Sequence, residues 1–136
     1  MITGAMAIGV ARAALDASIR YATERKQFGK PIGAFQAIQL KLAEMATGLA
    51  AAELLVYDAA RRYDAGLPHH REAAMAKLLA SETAASVCDQ AARIYASYGY
   101  AMEYPIQRYL RDVRFTLIGG GTSEILKMLI ARELTR

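Results

Sequence analysis

The segment Arg25-Lys-Gln-Phe-Gly29 contains an arginine and a phenylalanine just before a glycine. The pair Phe35-Gln36 follows shortly after this segment. An arginine at a helix end can hold a phosphate through two parallel hydrogen bonds. The ring of Phe28 offers a face on which a flat ligand can stack. The segment is therefore a candidate site for a phosphate-bearing aromatic ligand. Composition alone favours the alternative, a solvated helix end in which Phe28 anchors the core.

Three consecutive glycines, Gly119–Gly121, precede Thr122 and Glu124 near the end of the sequence. Without side chains, glycines let the backbone come close to a flat ligand. Thr122 is a good N-cap for a following helix, and Glu124 suits the positive end of that helix. The free N–H groups of a helix start also attract anions. An ordinary glycine-rich connection explains the same residues, and taken alone they favour that alternative.

The other residues with chemical potential have simpler interpretations. His69 and His70 lie in a loop beside a proline, and a metal needs more ligands at fixed spacing, so we expect no metal site. Cys88 lies in a small-residue stretch and is predicted to be a buried structural thiol. The tyrosines at positions 95–104 either line a pocket or, more often, pack the end of a bundle. The sequence has no Ser-His-Asp set, phosphate-binding loop or dinucleotide fingerprint.

The spacing of apolar residues predicts an all-α chain. One continuous stripe runs along the second predicted helix, where apolar residues recur every three or four positions from Ile38 to Val56. The first helix has Ile8, Leu15 and Ile19 near helical spacing. The predicted helices are Ile2–Thr23, Phe35–Asp64, Arg71–Ser97, Ile106–Arg114 and one from Thr122 toward Thr135.

Long helices with short links must pack antiparallel. We therefore predict an up-and-down antiparallel four-helix bundle with an additional short C-terminal helix pair. The length of 136 residues fits a single domain over residues 1–136.

Composition and charge exclude several classes of function. Hydrophobic residues make up 54% of the chain, so it is not disordered. The net charge is +4, but the basic residues are scattered and no five-residue basic run occurs, so we expect no nucleic-acid partner. One cysteine excludes an internal disulfide and indicates a reducing compartment, the cytoplasm. Arg12 interrupts the apolar start, and no stretch is expected to be long enough to cross a membrane.

Taken in order, these segments resemble the acyl-CoA dehydrogenase family. The family pattern Y-x-x-x-R-x-x-F-G-x-x-I-x-x-F-Q is matched by Tyr21–Gln36, and its L-A-x-M by Leu42–Met45. The patterns Y-G-Y, E-Y-P, R-D and G-T-S-E-I are matched by Tyr98–Tyr100, Glu103–Pro105, Arg111–Asp112 and Gly121–Ile125. Six linked motifs over nearly the whole chain are far more specific than any one of them.

The resemblance implies a function that spacing alone does not show. The family's enzymes bind FAD and oxidise an acyl-CoA thioester to the 2,3-enoyl form, while a carboxylate takes the α-proton and the flavin takes a β-hydride. They are usually tetramers with interfaces built from this domain. They also carry an N-terminal helical domain and a β-barrel, which we expect to be absent here. In the family, the residues matching Arg25 and Gln36 reach the FAD of a neighbouring subunit. The residues assigned to the cofactor are Arg25, Phe28, Gln36, Arg93, Gly121, Thr122 and Glu124.

Three departures from the family pattern affect this assignment. The medium-chain type carries its catalytic glutamate where this chain has Gly120, so no catalytic residue is expected there. In other types that glutamate lies on the first helix of the bundle, at a position that would fall just before Met1. Arg93 replaces a glutamine near the FAD pyrophosphate. Ala96 and Ser97 replace two glycines close to the flavin, and their side chains crowd that approach.

Two functional hypotheses follow. In the first, the chain is a C-terminal domain or fragment of an FAD-dependent acyl-CoA dehydrogenase, inactive alone, that contributes flavin contacts and oligomer interfaces. In the second, it is a non-catalytic assembly module that pairs with itself or with a related dehydrogenase subunit. Under both hypotheses we expect self-association, and we expect little or no FAD on the isolated chain.

Overall fold

Five α-helices and one small hairpin make up the computed structural model, which describes residues 1–135. The helices are α1 (Ile2–Glu24), α2 (Gln36–Asp64), α3 (His70–Tyr95), α4 (Ile106–Ile118) and α5 (Ser123–Leu134). The hairpin strands are β1 (Lys26–Gln27) and β2 (Lys30–Pro31), which pair antiparallel between α1 and α2. The predicted all-α antiparallel bundle is confirmed. Helix α4 is both the fourth helix of the bundle and the first of the short C-terminal pair.

Cross-helix contacts fix the directions of the long helices. Lys41 donates to Gln90 at one end of the α2–α3 pair, and Gly48 faces Thr83 further along it, so α2 and α3 are antiparallel. Helix α3 lies at the centre and packs against α1, α2, α4 and α5. This arrangement sets the two ends of α3 as the two ends of the bundle.

Alanines make up most of the buried residues of α1 and many of those of α3. Ala7, Ala11 and Ala14 are fully buried on α1, and Ala76 and several further alanines are buried on α3. Small residues let two helix backbones approach closely, and many weak contacts then replace a few large ones. The stripe predicted for α1 was therefore partly wrong, because Ile19 is exposed and Ile8 is only half-buried.

The stripe predicted for α2 is confirmed, and α3 also buries one face. Met45, Leu49 and Val56 are buried on α2, as is Val87 on α3. Burial of each such side chain stabilises the fold by about 1.5–3 kcal/mol. Gly48 lies within α2, where a Cβ would approach the Thr83 methyl to 3.2 Å. Glycine lowers the helix propensity of α2 at this position, and it allows α2 and α3 to pack closely there.

Helix α1 corrects one expectation. With 23 residues it is long and apolar enough, by length and composition, to cross a membrane, so the expectation that no stretch reaches that length was wrong. Its alanine face is buried against α3, and Ser18 donates to the Ala14 carbonyl oxygen at 2.7 Å within that face. Core helices of globular proteins pass the same test, and burial explains the apolar composition here.

Cys88 is buried as the sequence predicted, and His69 lies in the predicted loop, whereas His70 is the first residue of α3. Cys88 is completely buried, and burial raises the pKa of its thiol to about 12, which keeps it protonated and unreactive. His69 is hydrogen-bonded through Nδ1 to the Leu67 carbonyl oxygen at 2.9 Å in the loop before α3. Within residues 1–135, no group of three or more His, Cys, Asp or Glu side chains could hold a metal ion.

Candidate flavin-contacting site

A two-residue β-turn presents Phe28 to solvent at one end of the bundle. Phe28 and Gly29 both have positive φ, 51° and 79°, between the paired strands β1 and β2. Two successive positive φ angles are typical of the type I′ turn, whose twist matches that of a hairpin. The sequence predicted only a loop here. Phe28 is 91% exposed, so its interpretation as a core anchor was wrong.

An open groove of about 510 Å³ lies between the hairpin, the start of α2 and the end of α3. Its walls are largely aromatic, and we call it the aromatic groove. The lining includes Tyr21, Arg25, Phe28, Phe35, Tyr95, Ala96, Ser97 and Tyr98. Phe28 and Phe35 meet edge to face with centroids 6.1 Å apart, so two rings remain available at the mouth. The groove has the size and lining expected for part of a flat ligand.

Arg25 is held at the groove by its own backbone and by an aromatic ring. It terminates α1, where its N–H donates to the Tyr21 carbonyl oxygen at 2.8 Å. Its guanidinium lies over the ring of Tyr98, 5.5 Å from the centroid. A cation on a ring face keeps its N–H edge free for an anion. Arg25 is therefore oriented to hold a phosphate beside an aromatic ligand.

The floor of the groove is rigid and uncharged. Tyr21 and Tyr95 stack with centroids 4.0 Å apart, and the Tyr95 hydroxyl donates to the Ala17 carbonyl oxygen at 3.0 Å. Burial raises the pKa of Tyr21 and of Tyr95, so both phenols stay neutral at physiological pH. Of the four predicted bundle-end tyrosines, Tyr95 is buried and Tyr100 is exposed. The groove is thus built partly from residues that also close the bundle.

Two other predicted cofactor residues lie at this end but outside the groove lining. Gln36 is the exposed first residue of α2. Arg93 is exposed near the end of α3, and its Nε donates to Asp89 Oδ2 at 2.7 Å, one turn back along the helix. Exposed pairs of this kind are worth little, so Arg93 can exchange Asp89 for another anion.

Ala96 holds a strained backbone at the inner edge of the groove. It caps α3 with φ 52° and ψ −129°, a conformation that costs residues other than glycine about 1–3 kcal/mol. Helix α3 therefore ends at Tyr95, two residues earlier than predicted, and a short 3₁₀ turn, Ala96–Gly99, follows. Ala96 and Ser97 both line the groove, so the side chains that replace the two glycines of the family pattern lie in its wall.

Ala96→Gly is expected to stabilise the chain by about 1 kcal/mol, because release of the strain exceeds the extra entropy of glycine in the unfolded chain. Ala43→Gly is the matched control, since Ala43 is exposed in the interior of α2 and glycine there should cost about 1 kcal/mol. Urea unfolding followed by circular dichroism measures both. Equal destabilisation by the two variants would contradict the strain at Ala96.

The glycine hinge, Gly119–Thr122, lies at the other end of the bundle. Gly120 and Gly121 have φ of 73° and 104°, which only glycine adopts easily. Thr122 caps α5, accepting a hydrogen bond from the Ile125 N–H at 3.4 Å, as predicted. The backbone N–H of Glu124 itself and the Thr122 hydroxyl lower the pKa of the Glu124 carboxyl, which is ionised at neutral pH.

Two hydrogen bonds that were not predicted from the sequence connect this hinge to α3. Lys77, only 3% exposed, donates through Nζ to the Gly121 carbonyl oxygen at 2.6 Å. The Ser123 hydroxyl donates to Glu82 Oε1 at 2.5 Å. The sequence did contain a signal for the lysine contact. Lys77 lies three residues before Ala80, so it falls on the buried face of α3, where a charged side chain needs a partner.

The aromatic groove lies at the C-terminal end of α3, and the glycine hinge lies against its N-terminal half. Tyr95 contributes to the groove, whereas Lys77 contacts the hinge. The helix between them spans about 27 Å, at about 1.5 Å per residue. The fold therefore brings Arg25 and Phe28 together with the aromatic rings, and it places Thr122 and Glu124 in a separate site.

The fold and its two candidate sites define an antiparallel helical-bundle domain with an arginine-bearing aromatic groove at one end and a glycine hinge toward the other. The family model described as "Acyl-CoA dehydrogenase, C-terminal domain" matches residues 1–135. The chain therefore belongs to the acyl-CoA dehydrogenase C-terminal domain family, and the predicted family is confirmed. That family is FAD-dependent.

Known proteins of this family match nearly all of the chain. Benzylmalonyl-CoA dehydrogenase of Aromatoleum aromaticum is 75% identical over 135 residues, which are 99% of this chain and 36% of that protein. The structure of butyryl-CoA dehydrogenase from Megasphaera elsdenii superposes with a TM-score of 0.97 at 42% identity, covering 98% of this chain and 35% of the other. The FAD complex of PigA gives a TM-score of 0.94 at 32% identity, covering 97% and 34%. The chain thus spans about a third of the length of these relatives.

Proposed function

We propose that this chain is the flavin-contacting domain of an FAD-dependent acyl-CoA dehydrogenase, and that each copy contributes to two cofactor sites. The observation that carries the proposal is the separation of the aromatic groove and the glycine hinge by about 27 Å along α3, between Tyr95 and Lys77, at about 1.5 Å per residue. Both segments match family positions that contact FAD, and positions this far apart favour two cofactors over one. Two copies are the smallest assembly in which each cofactor receives both contributions, so the proposal includes a homo-oligomer.

At the groove, this chain's residues fit the adenine and diphosphate parts of a dinucleotide. Phe28 offers an exposed ring, and Arg25 offers N–H groups from a fixed position over Tyr98. Gln36 and Arg93 lie at the same end and can add hydrogen bonds to the phosphates. At physiological pH the neutral tyrosine floor adds no repulsion toward an anion.

At the hinge, the backbone is the principal binding element. Gly120 and Gly121 turn the backbone with positive φ angles, and the first turn of α5 follows them with N–H groups that can receive an anion. Thr122 and the ionised Glu124 add polar contacts at that turn. FAD, when bound, supplies the acceptor for the hydride that leaves the acyl-CoA.

The reaction needs a base that this chain does not supply at the family position. Gly120 has no side chain, and a Cβ there would lie 2.8 Å from Thr3 Oγ1. No acidic residue occurs from Ile2 to Gly9. We therefore propose that a carboxylate outside this chain takes the α-proton, and that the isolated chain is inactive.

The substrate class follows from the family and from the relative that is 75% identical. We propose an acyl-CoA thioester, and benzylmalonyl-CoA is the first compound to test, because that relative is named as its dehydrogenase. The buried free Cys88 fits a reducing compartment, and we propose the cytoplasm.

An NMR titration of the isolated chain with FAD tests the proposal. We expect weak binding that shifts amide resonances at both ends, in Arg25–Gly29 and in Gly120–Glu124. Arg25→Met should abolish the shifts at the groove and leave those at the hinge, whereas Lys41→Met, at a lysine between α2 and α3, should change neither. FAD-induced shifts at neither end, or only elsewhere, would overturn the proposal.

Self-association is a separate prediction. Light scattering during gel filtration should give a mass of at least twice the 14.8 kDa of one chain, because two-copy sites require contact between chains. Dilution should return the mass toward that of one chain if the contacts are reversible. A monomer at high concentration would contradict a homo-oligomer built by this domain alone.

A non-catalytic assembly module is the second candidate. It is favoured by the side chains of Ala96 and Ser97 in the groove and by exposed apolar residues on the C-terminal helices, including Phe115, Ile118 and Met128. Exposed apolar patches are often covered by a partner. A defined oligomer that shows no FAD-induced shifts at either end would favour this candidate over the first.

A further inference from the structure

A buried ammonium group lies directly beneath the glycine hinge. Lys77 is 3% exposed, and its Nζ donates to the Gly121 carbonyl oxygen at 2.6 Å. No ion pair within 4.0 Å includes Lys77 in the described part of the chain. Helix α1 covers the lysine backbone closely, since a Cβ on Gly4 would lie 3.4 Å from the Lys77 Cα. A charged group thus has a backbone carbonyl as its hydrogen-bond partner.

Such an arrangement is costly for packing alone. Burying an ammonium group requires compensation by strong hydrogen bonds, and an apolar side chain of similar length would fill the space without that cost. Here the compensating hydrogen bond goes to one peptide carbonyl of the hinge, that of Gly121. The lysine is therefore better explained by what it holds than by the volume it fills.

The backbone conformation of the glycine hinge needs contacts from outside the hinge to fix it. Gly120 and Gly121 have no side chains of their own to pack, and glycine leaves many backbone conformations open. The side-chain hydrogen bonds to α3 are those of Lys77 with Gly121 and of Ser123 with Glu82. One fixes the hinge before Thr122, and the other fixes the first residue of α5.

We infer that Lys77 is a positioning residue that fixes the carbonyl of Gly121 and thereby sets the place of Thr122 and the first turn of α5 at the flavin-facing end. Its charged hydrogen bond selects one conformation of a glycine segment that would otherwise sample several. This role rests on the proposed function of the hinge. The effect on the hinge itself is measurable without any cofactor.

Lys77→Met on the full chain tests the inference by NMR and hydrogen exchange. We expect displaced resonances for Gly120 and Gly121 and about tenfold faster amide exchange at Ile125 and Leu126, as for loss of one charged hydrogen bond. The urea midpoint should stay equal or rise, because a buried charge is removed. Lys77→Arg keeps a charged donor and should restore part of the protection.

Lys41→Met is the matched control. Lys41 also donates a 2.6 Å hydrogen bond, to Gln90, but between α2 and α3 and away from the hinge. It should leave the glycine resonances and the exchange of α5 unchanged. Equal effects from both variants would indicate general loosening and overturn the inference, as would unchanged hinge resonances in Lys77→Met.

The wild-type chain provides a second measurement if Lys77→Met does not fold. A lysine ammonium buried against Gly121 should give a slowly exchanging ¹⁵N resonance, distinct from those of surface lysines. A fast-exchanging Lys77 ammonium would overturn the inference. If FAD induces no shifts but the hinge amides are protected from exchange, only the proposed function is overturned. If FAD induces the expected shifts but the hinge does not respond to Lys77→Met, only this inference is overturned.

Discussion

Gly99→Ala is expected to lower the free energy of unfolding by about 2–3 kcal/mol, the range for overpacking a closed site. A Cβ on Gly99 would lie 2.6 Å from the Ala92 carbonyl oxygen and 3.0 Å from the Ala92 Cα. Both are backbone atoms in the last turns of α3, so they cannot move aside as a flexible side chain can. Urea unfolding followed by circular dichroism measures the change.

Gly9→Ala is the control for this prediction. Gly9 lies within α1, and a Cβ there would meet no atom within 4 Å. Alanine should therefore stabilise the chain by about 0.5–1 kcal/mol through helix propensity. If Gly99→Ala unfolds at the wild-type midpoint, the 3₁₀ turn does not pack on α3 as described.

Gly99 also connects stability to the groove. The residues just before it, Ala96 to Tyr98, line the groove and carry the ring beneath Arg25. Pushing the turn away from α3 would move that ring. Gly99→Ala should therefore weaken FAD-induced shifts at the groove while leaving those at the hinge, which contacts α3 at Lys77 and not near Gly99.

The second large effect is an absence of turnover. The isolated chain with added FAD, an acyl-CoA and a dye acceptor should reduce the dye no faster than FAD without protein. A positioned general base contributes about 10²–10⁴-fold, and this chain has glycine at the family position, Gly120. Butyryl-CoA and benzylmalonyl-CoA should be compared spectrophotometrically.

Butyryl-CoA dehydrogenase of Megasphaera elsdenii serves as the positive control in the same assay. Gly120→Glu tests whether the missing carboxylate can simply be restored. We expect no gain and lower stability, because Gly120 has φ 73° and a Cβ would meet Thr3 Oγ1 at 2.8 Å. Dye reduction that scales with the concentration of the wild-type chain would refute the prediction of an inactive domain.

Patterns of residues near one another in the sequence predicted the helices of this protein. The apolar stripe of α2 and the cap at Thr122 follow from spacing and from a single hydrogen bond, so they could be predicted from residues near one another in sequence. The family was also readable, because six motifs keep their order. The ends of the elements were less predictable: α3 stops at Tyr95, where Ala96 leaves the helical conformation with φ 52°, and α4 continues to Ile118.

The sequence by itself predicted which residues contact a flavin, and the tertiary structure decided how those residues are grouped. Arg25 and Phe28 share the aromatic groove, whereas Thr122 lies beside the N-terminal half of α3. Phe28 projects into solvent since a turn with two positive φ angles points it away from the core. Lys77 acquired its partner only when α3 met the hinge 44 residues further along the chain. Such contacts depend on how helices pack, which short-range patterns of residues do not encode.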